Sequence, residues 1–155
     1  MKDGVVTAGN ASQQNDAAAA CLVVAEDRLA SLKLDPMAYL VGWCATGCEP
    51  SHMGIGPVPA VNKLMARLGL GLDDMDLIEL NEAFAVQALA VLQGWGTSLA
   101  AVEAKLNVNG SGISLGHPVG ATGARIMTSM LYELQRRLFE ILTFLIKSNQ
   151  MMLSL

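Results

Sequence analysis

The sequence predicts an α/β layered fold, on three observations. Short apolar runs of strand character alternate with stretches whose apolar residues recur at helical spacing. Turns rich in Gly, Pro, Asn and Asp separate them. A chain of 155 residues with 52% hydrophobic content can also bury the core of one ordinary domain.

After the polar loop Thr7-Ala8-Gly9-Asn10-Ala11-Ser12, the run Asp16 to Ala20 favours helix. Cys21-Leu22-Val23-Val24-Ala25 favours a buried strand, and Glu26 to Lys33 returns to helix. Leu34-Asp35-Pro36 closes that segment and marks the expected domain boundary. Met37 to Cys44 reads as a second buried strand, ended by Gly47 and the Glu49-Pro50-Ser51 turn. The stiff loop Met53-Gly54-Ile55-Gly56-Pro57-Val58-Pro59 feeds a helix with Val61, Leu64, Met65 and Leu68 at helical spacing, ending at Gly69.

Asp76 to Leu80 predicts a short strand, followed by an Asn81 cap and an alanine-rich helix from about Glu82 to Leu92 that Gly94-Trp95-Gly96 breaks. Asn107-Val108-Asn109 then leads into Gly110-Ser111-Gly112-Ile113-Ser114-Leu115-Gly116-His117-Pro118. A long helix is expected from Val119 to at least Arg137, with Pro118 at its first position. Beyond it, Leu138, Ile141, Leu142 and Leu145 form an apolar stripe that could extend this helix over a sheet edge.

Composition narrows the function classes. A formal net charge of -4, with 10 Lys plus Arg against 14 Asp plus Glu, offers no basic face for nucleic-acid phosphates. Cys21, Cys44 and Cys48 are odd in number and lack CxxC spacing, so neither a disulfide framework nor a zinc pair is expected, and no metal site is assigned. Reduced thiols and the lack of an apolar leader after Met1 point to a cytoplasmic protein. The apolar stretch from Leu138 to Leu155 holds Glu140 and Lys147, which leaves its charge-free runs far below the ~20 residues of a membrane span.

Two short constellations could carry chemistry. His117, between Gly116 and Pro118, sits at the positive end of a predicted helix, beside a backbone free of side-chain bulk, as a proton-accepting ring. A histidine capping a glycine turn explains the same tripeptide. Asn81 is expected at the carboxyl end of a strand, where α/β folds keep their ligand crevices and an amide could polarise a carbonyl oxygen. An ordinary helix cap, with Glu82 complementing the dipole, explains that motif equally. Gly110, Gly112 and Gly116 are spaced GxGxxxG, and Glu133, about 20 positions on, falls inside a helix, so a nicotinamide loop does not fit. No GxxxxGK[ST] phosphate loop is written either.

Taken in order, Val6 to Ser12, Met53 to Pro59, Asn81-Glu82-Ala83-Phe84 and Asn107 to Gly123 resemble the thiolase family (acetyl-CoA C-acetyltransferase, or beta-ketothiolase). The resemblance runs through nearly all of residues 3 to 137, interrupted at Gly94 to Lys105, where a longer surface loop is expected. It implies an incomplete thiolase-like layered fold. Residues 1–35 would end the amino-terminal domain, 36–137 would make up most of the carboxy-terminal domain, and 138–155 would be a divergent apolar tail.

The resemblance also implies roles. His117 matches the histidine that helps activate a nucleophilic cysteine and then donates to a thioester oxygen, and Asn81 matches the residue that holds a water in the same oxyanion site. Ser12, with Ala8 and Gly9 beside it, matches the contact to the pantetheine arm of coenzyme A, while Met53 and Phe84 match pocket-lining residues. The reaction implied is acyl transfer between coenzyme A thioesters, with acyl-CoA as substrate and no permanently bound cofactor. Neither the family's nucleophilic cysteine nor the acid/base cysteine of its Cys-x-Gly segment has a counterpart among Cys21, Cys44 and Cys48, so the 155 residues alone are expected to be inactive. Cys21 and Cys44 are expected as inert core thiols, with Cys48 nearest the pocket. The family also implies oligomers with thiolase subunits, and a non-catalytic binding or assembly module is the alternative expectation.

Overall fold

The computed structural model of the protein describes residues 3–141 and 152–154, with side chains described for residues 3–137. At its centre is β1 (Ile78–Leu80), whose residues alternate between two helical layers. Ile78 packs with Val61 and Met65 of α2 (Pro57–Leu68), Leu92 of α3 (Ala85–Gly94) and Val102 of α4 (Leu99–Val102). Leu77, one residue earlier, packs on the opposite side against Met130 and Leu134 of α6 (Val119–Ile141), the long helix that follows the single turn of α5 (Gly112–Leu115). The result is helix, strand and helix in three layers.

Both edges of β1 are occupied. The chain at 105–107 runs alongside in parallel: the Ile78 amide donates to the Lys105 carbonyl at 2.7 Å, and the Asn107 amide donates to the Ile78 carbonyl at 2.8 Å. β2 (Met152–Ser154) pairs in parallel on the other edge, with Ile78 opposite Met152 and Leu80 opposite Ser154. A strand therefore lines the edge where an extension of the last helix was expected. Leu142 and Leu145 of the expected stripe lie outside the described residues.

Local sequence explains the long elements. Pro57 opens α2 and Gly69, at φ +68°, closes it in the left-handed region with its amide on the Met65 carbonyl. Thr122 and Ala121 donate their amides to the Pro118 carbonyl, so Pro118 caps α6 from one position before the helix starts. Ile126, Met130 and Leu134 follow at four-residue spacing and are buried. The Gly94 to Lys105 segment is not purely a surface loop. It folds into α4, buries Val102, and anchors the Lys105 ammonium on the Leu72 and Met75 carbonyls at 2.7 and 3.0 Å.

Three expected elements are not there. Residues 16–20 are not helical, since a five-residue alanine run has too few turns to offset helix nucleation. Cys21 to Ala25 and Met37 to Cys44 form no strand, because among the described residues neither has a neighbour to complete a ladder. They lie over helices instead: the Cys21 thiol is 3.3 Å from Thr128 Oγ1 on α6, and the Trp43 carbonyl accepts from Arg67 on α2. Their outer sides are open, with Leu22 82% and Trp43 71% exposed. Glu26 to Lys33 does turn helical, as a 3-10 turn at Glu26–Arg28 running into α1 (Leu29–Leu32).

Two buried carboxyls set the pH response of the fold. Burial in β1 pushes Glu79 up to about 7, against the pull of Arg125 and with Glu82 and Glu133 adding to the rise. Glu133 is held down at about 2 by hydrogen bonds, first from Arg136, against its own desolvation, with Arg137 and Asn109 adding to the lowering. From pH 4.5 to 7 native Glu79 keeps a proton that the unfolded chain releases, so its contribution, on the order of 2–3 kcal/mol, is lost as pH rises through that window. Glu133 has the opposite sign: its stabilisation is present above pH 4.5 and lost as pH falls towards 2. Thermal melts from pH 3 to 8 are expected to peak between pH 4.5 and 5.5, and Glu79→Gln should flatten the alkaline side. A midpoint temperature still climbing between pH 5.5 and 8 would contradict this.

Candidate active site

β1 is only three residues long, and side chains fix its carboxyl end. Asn107 sits at φ +47°, where its carboxamide faces Leu80. Its Oδ1 accepts from the Leu80 amide and its Nδ2 donates to the Leu80 carbonyl, both at 2.8 Å. The carboxamide thus stands in for a peptide unit of a neighbouring strand. Nδ2 also reaches Glu82 Oε1 at 3.2 Å. Ser111, fully buried, donates to the Leu80 carbonyl at 2.9 Å and accepts from the Glu82 amide at 3.2 Å.

This clamp delivers Asn81 to His117: Asn81 Nδ2 lies 3.4 Å from His117 Nε2. On the far side of the ring, Nδ1 is 2.8 Å from Thr122 Oγ1, and the Thr122 hydroxyl donates to the Pro118 carbonyl at 3.0 Å. A hydroxyl has one proton, and here it goes to Pro118. Oγ1 must then accept from Nδ1–H, which leaves the lone pair of the neutral ring on Nε2, facing the Asn81 amide. The ring is thus set as a proton acceptor towards Asn81.

Asn81 is not the helix cap expected from sequence. Residues 81–84 stay outside the helix because Ala11 bridges Phe84 in antiparallel fashion, with Ser12 donating to the Ala83 carbonyl and Ala85 to the Asn10 carbonyl, both at 2.9 Å. Phe84, at φ -146°, caps α3, so the helix begins at Ala85 and Glu82 lies outside its first turn. That shift leaves the Asn81 side chain available to His117.

The same bridge brings the amino-terminal loop to the site. The His117 amide donates to the Gln13 carbonyl at 2.8 Å. A Cβ on Gly116, at φ +94°, would strike the Asn15 side chain, and one on Gly112 would stand 2.7 Å from the Glu82 carbonyl oxygen and 2.9 Å from Asn81 Oδ1. Both glycines are there for close approach. Ser12 is half-buried beside this junction, while Ala8 and Gly9 are exposed in the turn that Asn10 ties together through Thr7 and Val5.

The Met53 motif joins through α3. Pro50–Ile55 forms a 3-10 turn where a loop was expected, and Gln87 Nε2 donates to the Gly54 carbonyl at 3.0 Å. Met53 is 77% exposed and Phe84 43%, so neither side chain is enclosed. The cavity of about 340 Å³ beside Trp95, Met65 and Asp73 is lined by none of these motif residues. Among the described residues, no cluster of three His, Cys, Asp or Glu could hold a metal ion, and no helix is long and apolar enough to cross a membrane.

Two of the three cysteines differ from expectation. Cys21 is exposed against α6 and Cys44 is half-buried in an unpaired segment, so neither is a core thiol. Cys48 is exposed, 3.9 Å from the Met53 carbonyl. The positioning residues Asn107, Ser111, Thr122 and Gln13 were not singled out from sequence. Thr122 carried a usable signal, because a hydroxyl five residues after a histidine at a helix start faces back along the first turn. Thr122→Val should remove the Nδ1 acceptor, move the His117 proton towards Nε2 in ring ¹⁵N spectra, and cost about 1–2 kcal/mol. An unchanged tautomer would refute the assignment.

Comparison with known proteins shows the family. Residues 34–145 match the model of the family described as thiolase, C-terminal domain. The chain is 51% identical over 138 residues to an acetyl-CoA acetyltransferase of Chromobacterium violaceum and 50% identical over 136 residues to the human mitochondrial 3-ketoacyl-CoA thiolase. Each match covers 88% of this chain but only 34% and 33% of the relative. The crystal structure of the Bacillus anthracis acetyl-CoA acetyltransferase superposes with a TM-score of 0.79 at 45% identity, and that of the human mitochondrial 3-ketoacyl-CoA thiolase in complex with CoA with 0.77 at 45%. Both cover 88% of this chain and 34% of theirs, so the chain spans about a third of the length of these relatives.

Proposed function

The chain belongs to the thiolase family through the family's carboxy-terminal domain, and on that premise we propose that it supplies the histidine and asparagine of a pocket for acyl transfer between coenzyme A thioesters. One observation carries the reading: Asn81 Nδ2 lies 3.4 Å from His117 Nε2, and the other ring nitrogen is tied to Thr122. Forming or cleaving a 3-ketoacyl thioester needs a thiolate to hold the acyl group, a base for an alpha proton, and donors for enolate charge. His117 Nε2 can take a thiol proton and, once protonated, donate to a thioester oxygen. Asn81 is placed to hold a water at the same oxygen. Ser12, with Ala8 and Gly9, meets the pantetheine arm, and Met53 and Phe84 line the acyl side.

The thiols must come from elsewhere. Cys21 is held against Thr128 and Cys48 against the Met53 turn, and neither bonds His117. By themselves the 155 residues should cleave acetoacetyl-CoA little or not at all. A chimera in which residues 3–137 replace the matching third of the Chromobacterium violaceum acetyl-CoA acetyltransferase should be active, and His117→Ala or Asn81→Ala in it should lower kcat by roughly 10²–10³-fold. Robust thiolysis by the 155-residue chain, or a His117→Ala chimera with full activity, would sink the reading.

A second reading is an assembly module without turnover, favoured by the exposed side chains of Leu22, Val23, Tyr39, Leu40, Val41 and Trp43 on two segments with no strand neighbour among the described residues. Such segments would pair with strands of a thiolase subunit. The chain should then co-purify stoichiometrically with a full-length thiolase, with Leu40→Asp and Val23→Asp weakening the association. A monomer in sedimentation runs that ignores added thiolase argues against it.

A further inference from the structure

Met53 is assigned to the pocket, yet its side chain is 77% exposed, so packing does not fix it. Its position follows from the backbone of the turn Pro50–Ile55 that carries it. The Met53 carbonyl is met by the Gly56 amide at 3.0 Å and the Cys48 thiol at 3.9 Å, contacts that shape the turn without tying it to another element. The tie comes from α3. Gln87, in the first turn of that helix, donates its Nε2 to the Gly54 carbonyl at 3.0 Å.

Two features show that this contact is built. A Cβ added to Gly54 would stand 3.0 Å from Gln87 Cγ, so the glycine admits the glutamine stem as well as the bond. The carboxamide orientation is settled too, because a carbonyl oxygen only accepts and Nε2 must therefore face it. Oε1 is then left buried without a partner. An unmet acceptor costs free energy that an aliphatic side chain of the same length would not, so stability alone does not call for glutamine here. At the other end of α3, two turns on, a Cβ on Gly94 would stand 2.6 Å from Val58 Cγ2. The start of α2 is thus fitted to α3 by shape, and the Met53 turn is fixed to it by a hydrogen bond.

Phe84, the other residue assigned to the acyl side, caps the same helix and is bridged by Ala11. The beginning of α3 therefore carries Phe84 directly and Met53 through Gln87. We propose that Gln87 is a positioning residue for the acyl side of the pocket: by docking the Pro50–Ile55 turn on α3 it sets where Met53 stands relative to Phe84, and with it the size of acyl group accepted. The proposal rests on the reading of Met53 and Phe84 as acyl-side residues.

The test has two arms. In the 155-residue chain, Gln87→Glu keeps the shape of the side chain and, at neutral pH, removes the donor, while Gln87→Leu removes both polar atoms. Hydrogen exchange of the Gly56 amide, which closes the Met53 turn, is expected to quicken about 5–10-fold in each, the effect of one lost neutral hydrogen bond, with amides of α6 keeping their rates. In the chimera carrying residues 3–137, the same substitutions should shift the ratio of kcat/KM for acetoacetyl-CoA and 3-ketohexanoyl-CoA towards the longer thioester by about 5–10-fold. The shift should lie in KM, with kcat for acetoacetyl-CoA within about twofold. Unchanged Gly56 exchange in both variants overturns the docking role, and an unchanged ratio in an active chimera overturns the specificity role. A chimera that is inactive with Gln87 in place sinks the acyl-transfer reading instead, and the exchange arm still decides whether Gln87 holds the turn.

Discussion

Everything at the site depends on the clamp that Asn107 and Ser111 place on Leu80. A strand of three residues makes too few ladder bonds to hold its own end, yet Asn81 projects from that end. The Leu80 carbonyl takes two side-chain donors and the Leu80 amide takes a side-chain acceptor, so the backbone is satisfied by groups folded back from the following loop. The left-handed turn at Asn107 starts that loop, and its far end delivers His117. One hydrogen-bonded unit therefore fixes both partners of the Asn81–His117 contact, which is why they meet despite lying 36 residues apart.

How much of this the sequence could show depends on whether the cause was local. The α2 boundaries were legible because Pro57 and Gly69 act on their own backbone, and α6 because Ile126, Met130 and Leu134 keep a helical period. Asn81 and His117 were legible as chemical types in suggestive places, but either could have been a plain cap. Their meeting was not legible, since it follows from Ala11 holding Phe84 extended and so delaying α3. The fold class follows from alternation, and the likeness to solved thiolases at a TM-score of 0.79 shows it.

The misplaced strands teach a different lesson. Leu22-Val23-Val24-Ala25 and Tyr39-Leu40-Val41-Gly42-Trp43 are continuous apolar runs, the pattern of strands covered on both faces. Here each run touches a helix, Cys21 on α6 and Trp43 on α2, and its large side chains are mostly exposed. Strand identity is relational. A helix satisfies its own amides, whereas a strand needs a neighbour, so the same run is a strand or an extended segment according to what lies beside it. The sequence specifies the propensity and the surroundings decide the outcome.

The resting geometry at His117 also bears on how the ring could act. At 3.4 Å the Asn81 contact is longer than the usual 2.9–3.0 Å of an N–H donor, so it holds Nε2 weakly. The Thr122 bond at 2.8 Å holds Nδ1 firmly. An incoming thiol or water can therefore displace the amide from Nε2 without disturbing the tautomer or the ring plane. Asn81 Oδ1 is buried without a partner, close against Gly112, so the side chain keeps an unmet acceptor beside the ring. A firm anchor on one nitrogen and a loose one on the other is what a base needs if it is to be held in place and still exchange its proton.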